Sequence, residues 1–212
     1  MNSKLVVYGA GGHARATIDL IMSMGAFDII GIIDDTDALL GKNVFGFPII
    51  GNRTVLNNIK KQGCFLAANG VGGVPNINDR IQIFELFKKY KFTLPALIHS
   101  TANIEQAVQT FDGVQIFANV HIGASTILYS DCIVNSGATI LSDCSIGSYS
   151  HITPGCILSE NVEVGEKVLI GMGVTINPKV KIGAGSRIGN GAIILGNVPN
   201  RQIIPAGTVW YG

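Results

Sequence analysis

Residues 134–195 read VNSGATILSDCSIGSYSHITPGCILSENVEVGEKVLIGMGVTINPKVKIGAGSRIGNGAIIL, and the spacing inside this stretch decides the fold. An aliphatic residue returns every six positions. Followed outward, the series is Ile116, Ile122, Leu128, Val134, Ile140, Ile146, Ile152, Leu158, Val164, Ile170, Ile176, Ile182, Ile188 and Ile194. The residue four places later is small or β-branched, as at Thr126, Cys132, Ala138, Cys144, Ser150, Cys156 and Val162. Glycine often follows the aliphatic residue, as at Gly123, Gly147, Gly165, Gly171, Gly183 and Gly189. So short a period means one unit stacked on copies of itself. Six residues make one side of a triangular coil and three sides complete a turn. The aliphatic residue fills the interior, the small one fits beside it, and glycine is expected to permit the sharp corner. The predicted fold of residues 99–212 is therefore a parallel β-helix. Coils of this hexad type wind left-handed, against the usual crossover rule.

Cys132, Cys144 and Cys156 stand twelve apart at the small inward position, each on a different side of the triangle. They read as core residues and not as converging metal ligands. The N-terminus MNSKLVVYGAGG runs at once into glycine, which predicts no secretion signal. Free thiols, a reducing compartment and a cytoplasmic location are expected.

Residues 1–98 carry a different pattern. Leu5–Tyr8, Ile29–Ile33, Phe65–Ala68 and Thr93–Ile98 read as strands; His13–Met24, Thr54–Gln62 and Ile77–Tyr90 have helical periodicity. This alternation predicts a Rossmann-like α/β unit with a parallel sheet. Gly9-x-Gly11-x-x-Ala14 follows the first strand and opens a helix, and Asp34-Asp35 ends the second strand. Glycines let backbone N–H groups approach a phosphate, while an acidic pair suits a ribose or a base. Gly9, Gly11, Gly12, His13, Asp34 and Asp35 are the candidate nucleotide contacts. A unit of ~98 residues is half a full NAD fold, which favours the handle of a nucleotide sugar over NAD.

The 212 residues include only 14% charged side chains, with a formal net charge of +1 and no basic cluster, so the footprint of a nucleic-acid binder is missing. Mean hydropathy is +0.40, yet no apolar run reaches the ~18 residues of a membrane span. The apolar excess is expected in a soluble core, an oligomer interface, or both.

Five segments carry a family resemblance: YGAGGHA at 8–14, IIDD at 32–35, NGVGG at 69–73, LIHSTANI at 97–104 and VNSGATILSDCSIGSYSHITPG at 134–155. Over nearly the whole chain the sequence resembles the bacterial nucleotide-amino-sugar N-acetyltransferases and the sialic-acid O-acetyltransferase-like proteins grouped with them, all hexapeptide-repeat acyltransferases. The resemblance implies a homotrimer with no metal, a nucleotide-activated amino sugar on the N-terminal domain, and acetyl-CoA as co-substrate. It implies acetyl-CoA contacts at His151, Glu160, Gly171, Met172 and Asn190, a histidine base, and a role in surface-glycan biosynthesis.

Two positions depart from the family pattern. The usual His-Asp-Cys or His-Glu-Cys triplet is here Ser142-Asp143-Cys144, and a glycine expected beside the pantetheine arm is Glu160. A serine hydroxyl is no proton acceptor near neutral pH without its own base. Three readings stay open: an active enzyme with Asp143 or His151 as base and Ser142 at the catalytic position, a base replaced deliberately to trap a complex, or a non-catalytic relative that binds a nucleotide sugar. His121 has no motif around it and reads as an exposed coil residue, and His99 as a residue positioning the first coil. A zinc carbonic anhydrase on the same scaffold needs three convergent histidines, and the repeat region proper holds His121 and His151. A purely structural β-helix leaves the front domain unexplained.

Overall fold

The computed structural model describes residues 2–72 and 77–212, and the chain divides into two compact units, Met1–Leu97 and Ile98–Gly212. Residues 73–76, the end of the expected loop 69–76 and the last glycine of the NGVGG segment, lie outside the described residues.

In the first unit the strands are β1 (Ser3–Tyr8), β2 (Phe27–Ile33), β3 (Asn43–Val44), β4 (Phe47–Gly51) and β5 (Leu66–Asn69). The helices are α1 (Gly12–Met24), α2 (Leu56–Lys61) and α3 (Ile77–Lys89). The sheet order is β3-β4-β2-β1-β5, parallel except for the β3–β4 hairpin, which the sequence pattern did not announce. Leu5, Val6 and Val7 are fully buried, as a strand covered on both faces requires. The chain leaves β1 for β2 on one side and later returns to β5 on the other. The turns after β1, β2 and β5 therefore gather at one edge, where open α/β sheets bind ligands. The strand expected over Thr93–Ile98 is not one strand. Thr93 makes a single bridge to Leu66, while Leu97–Ile98 belongs to the first coil of the second unit.

The second unit is a parallel β-helix with three faces. Face one stacks Leu97–Ile98, Gln115–Ile116, Ile133–Val134, His151–Ile152, Leu169–Ile170, Arg187–Ile188 and Ile203–Ile204. Face two runs from Asn103–Ile104 through His121–Ile122 and Thr139–Ile140 to Val209–Trp210, and face three from Gln109–Thr110 to Lys181–Ile182. Every aliphatic slot from Ile116 to Ile194 is buried, to 3% exposure or less. Each such burial is worth about 1.5–3 kcal/mol, so this column is the main source of stability.

Two roles differ from expectation. The glycine after the aliphatic residue does not turn the corner. Left-handed backbone falls instead on the third residue of each hexad side, at Asp131, Asp143, Tyr149, Gly155, Asn161 and Lys167 among others. At Gly147 the cause is contact: a Cβ there would lie 2.5 Å from the Gly165 carbonyl carbon and 2.7 Å from the Glu166 nitrogen, both backbone of the next coil. The small inward residues also do more than fill space. Thr126, Ser150 and Ser186 are fully buried, and their hydroxyls donate to the carbonyls of Leu141, Gly165 and Pro199 at 3.1, 2.7 and 2.8 Å. Thr126 and Ser150 also accept the N–H of Cys144 and Val168, the residues one coil above them. Cys144 and Cys156 point their sulfurs at the carbonyls of Ser159 and Gly171 in the same way. Buried polar atoms are tolerated because each is matched to a backbone partner between coils.

The C-terminal tail is the last coil, and it is short. Glu163 pairs with Lys181, eighteen residues on, but Arg187 pairs with Ile203 and Ile193 with Val209, sixteen residues on. Trp210 closes this coil by donating from Nε1 to the Asn197 carbonyl at 3.0 Å.

Candidate functional site

The glycine turn after β1 is held from both sides. Gly9 N–H donates to the Ile33 carbonyl at 2.7 Å, and Gly70 N–H donates to the Tyr8 carbonyl at 2.7 Å. Gly9 has φ of +101°, a conformation that excludes most side chains. Gly70 lies against Ala14, where its own Cβ would meet the Ala14 Cβ at 2.9 Å, so α1 packs close to the strand ends. Gly11 and Gly12 are exposed with open space beside them, and His13 lies against Gly72. No side chain caps α1 and no acid stands in its first turn. The positive end of the helix thus faces outward uncompensated, a ready anion site.

The acidic pair is engaged within the protein. Asp34 accepts from Ala10 N–H at 2.8 Å and from Thr36 N–H at 2.9 Å, tying the glycine turn to the end of β2. Asp35 accepts from the Tyr8 hydroxyl at 2.6 Å, from Arg53 N–H at 3.1 Å and from the Arg53 guanidinium. A cavity of about 240 Å³ adjoins the pair, lined in part by Asp34, Thr36, Asp37, Leu40 and Asn52. The Arg53 guanidinium holds the Asp35 carboxyl at about 2, below its ordinary 3.8, while burial and then Asp35 raise the Tyr8 phenol. A lowered carboxyl stabilises the fold above pH 3.8 and loses that contribution as pH falls through 2. Both partners are more than a third exposed, so the effect is small. Arg53→Ala is expected to lower the melting temperature slightly at pH 7, with the difference from wild type vanishing between pH 4 and 2. A difference constant down to pH 2 would remove Asp35 as the partner that matters.

On the β-helix the candidate residues form two groups. Ser142 and Asp143 occupy the corner between faces two and three, and Glu160 stacks one coil above Ser142, whose carbonyl accepts from Asn161 N–H at 3.0 Å. Asp143 and Glu160 are exposed, and Asp143 has φ of +59°. Between them the Cys144 thiol is pushed up to about 11, first by burial and further by these two carboxylates. Gly123 lies directly below, where a Cβ would meet Ser142 N at 2.5 Å.

The second group follows face one. His151 is 7% exposed, with Asn135 Nδ2 3.4 Å from its Nε2. Gly171 and Met172 follow the strand one coil above, and Asn190 follows the strand above that. Met172 N–H donates to Asn190 Oδ1 at 2.9 Å, and a side chain on Gly171 would strike that Asn190. Met172 is 53% exposed. The serine corner and the face-one group lie on different parts of the coil. Among the described residues no group of three His, Cys, Asp or Glu side chains is disposed to hold a metal.

Sequence reasoning missed the cluster around His121. Asn103 lies one coil below it, with its amide 3.1 Å from Nδ1, and Glu105 Oε1 lies 3.6 Å from Nε2. Glu105 Oε2 also accepts from Ala124 N–H at 2.8 Å. The available signal was the coil length: residues eighteen apart stack, which puts Asn103 under His121 and Ala124 under Ser142.

Comparison with known proteins bears on both units. A family model described as the PglD N-terminal domain matches residues 4–87, and one for the bacterial transferase hexapeptide, six repeats, matches residues 161–196. No curated protein matches the chain. Among solved structures, the acetyltransferase domain of PglB from Neisseria gonorrhoeae in complex with acetyl coenzyme A is 32% identical, with 96% of each chain covered and a TM-score of 0.87. PerB from Caulobacter crescentus, in complex with CoA and GDP-perosamine, is 28% identical over 95% of this chain and 93% of its own, with a TM-score of 0.88. WeeI from Acinetobacter baumannii, 19% identical with a TM-score of 0.60, shares the fold. The β-helix is thus the left-handed hexapeptide type.

Proposed function

The chain belongs to the nucleotide-amino-sugar acetyltransferases, and we propose that it moves the acetyl group of acetyl-CoA to the amine of a nucleotide-linked sugar in surface-glycan biosynthesis. The observation that carries this is the end-to-end likeness to an acetyltransferase domain that binds acetyl coenzyme A, with the phosphate-type turn intact in the first unit. GDP-perosamine, the sugar bound by PerB, supplies the model acceptor class: a nucleoside diphosphate carrying an amino sugar. Transfer to a hydroxyl is the second outcome the assay distinguishes. The non-catalytic alternative has no support.

In this reading the exposed end of α1 and the Gly9–Gly12 turn take the pyrophosphate, and the cavity beside Asp34 takes the nucleoside. Asp34 and Asp35 act chiefly by holding the turn and Arg53, since their oxygens already accept internal bonds. Gly171, Met172 and Asn190, with His151 below them, form the acetyl-CoA side, and Ser142, Asp143 and Glu160 the other. The two groups meet only if neighbouring subunits face one another, so the working unit is a homotrimer. No helix among the described residues is long and apolar enough to cross a membrane. We place the enzyme in the cytoplasm, where acetyl-CoA and nucleotide sugars are made.

The test is calorimetry with acetyl-CoA and with GDP-perosamine and UDP-linked amino sugars, followed by thiol release in the mixture. Micromolar acetyl-CoA binding and CoA release dependent on one amino sugar are expected, from a species of three times the 22.3 kDa chain. A protein that binds nucleotide sugar but neither binds nor consumes acetyl-CoA would sink the reading.

A further inference from the structure

Amide formation from an amine and a thioester needs a group to take the amine proton, and an imidazole is the usual choice. The chain has four histidines. His13 is beside the glycine turn of the first unit. His99 Nδ1 is 2.9 Å from the Thr101 hydroxyl and accepts from Thr101 N–H at 3.1 Å. His151 is 7% exposed, with Asn135 at its Nε2. His121 lies on face two, between Asn103 and Glu105. Its side chain is 29% exposed, one ring nitrogen is in contact with an amide, and the other lies near a carboxylate.

Resting on the acetyltransferase reading above, we propose that His121 takes the proton from the acceptor amine, with Asn103 fixing its ring and Glu105 stabilising the imidazolium. Asn103 pins Nδ1 at 3.1 Å; with the amide turned to present its oxygen, it accepts the Nδ1 proton and leaves the Nε2 lone pair outward. The 3.6 Å from Nε2 to Glu105 Oε1 is too long for a hydrogen bond, so Nε2 is not spent on it. Glu105 thus sets a carboxylate beside the outer nitrogen of the ring. Glu105 is itself anchored, because its other oxygen accepts from Ala124 N–H at 2.8 Å.

The cluster lies beside the serine corner. Ala124 is stacked beneath the Ser142–Asp143 turn, where its carbonyl accepts from Asp143 N–H at 2.9 Å, and Gly123 touches Ser142 from below. On the strand His121–Ile122 the Ile122 side chain is buried in the coil, so that of His121 faces outward from face two. Three residues along the chain and one strand spacing across put the His121 and Ser142 backbones roughly 11 Å apart. The His121 side chain and a bound amino sugar together bridge that gap, and Ser142, Asp143 and Glu160 offer no imidazole of their own.

The amine nitrogen attacks the thioester carbonyl carbon, forming N–C. His121 Nε2 accepts the proton the nitrogen sheds, and the C–S bond breaks as the tetrahedral intermediate collapses. The imidazolium then returns the proton to the departing thiolate, giving amide and CoA thiol.

His121→Gln keeps a polar group against Asn103 and removes the base. Turnover of the intact protein is measured by CoA release from acetyl-CoA with GDP-perosamine, or with whichever nucleotide amino sugar wild type acetylates. The expected result is a kcat lower by about 100-fold with KM for both substrates within twofold of wild type. Glu105→Gln is expected to lower kcat by about tenfold, again at constant KM, and carries the test if His121→Gln does not fold. His121→Gln keeping more than a third of wild-type kcat would overturn the proposal, as would a loss confined to KM. A wild type that acetylates nothing fails earlier, and that failure belongs to the acetyltransferase reading.

Discussion

Gly147→Val is expected to destabilise the β-helix by about 3 kcal/mol or more, a fall in melting temperature of roughly 10 °C. The new side chain has nowhere to go. Its first carbon would sit 2.5–2.7 Å from three backbone atoms of Gly165 and Glu166, and backbone does not swing aside as a flexible side chain does. Relief requires the two coils to part, which stretches inter-coil bonds such as Gly147 N–H to the Val164 carbonyl at 2.8 Å. Gly155 is the matched control. It has φ of +70° but open space around the missing Cβ, and Asn tolerates that conformation. Gly155→Asn is expected to stay within about 0.5 kcal/mol of wild type. Thermal denaturation of the two variants decides the matter. Equal losses would mean that backbone conformation, and not contact between coils, sets the glycine requirement.

Ser142→His is expected to raise kcat by about tenfold in the wild-type background and by about 100-fold in the His121→Gln background. The corner projects outward beside Asp143, so an imidazole there has both solvent access and a carboxylate neighbour. The two gains differ because a second base helps most where the first is gone, and the difference is the coupling between the sites. Steady-state rates of the four proteins give it directly. Equal gains in both backgrounds would mean that His121 and position 142 act independently, and the assignment of His121 as proton acceptor would fall.

How far the sequence reveals such sites depends on what brings residues together. The column from Ile116 to Ile194 is legible because one period of six fixes every member. The last coil escapes the same reading because the period breaks near Val198, which pairs with Ile182 sixteen residues earlier. The stacking of Asn103 under His121 follows from coil length alone. The engagement of Asp35 by Arg53 does not, since it depends on β4 lying beside β2, an adjacency no local pattern encodes. The glycines were located correctly and explained wrongly. A sequence records that a side chain is missing, but a tight turn and a close neighbour leave the same mark. The inward hydroxyls passed as filler for a similar reason, as Thr126 and Val162 occupy equivalent slots and only the former bonds to the coil above.

The coil shortened to sixteen residues bears on how coils could stack above it. A stack of parallel strands has no internal reason to stop, because its top rung offers the next chain the same unsatisfied backbone that built the rung below. Here the coil has lost two residues but keeps its register, with Ile204 over Ile188 and Trp210 over Ile194, and the Trp210 indole donates to the Asn197 carbonyl. A bulky indole thus stands in the slot that an aliphatic residue fills in the rungs below, a poor seat for a further regular rung, which disfavours growth of the stack into a fibre.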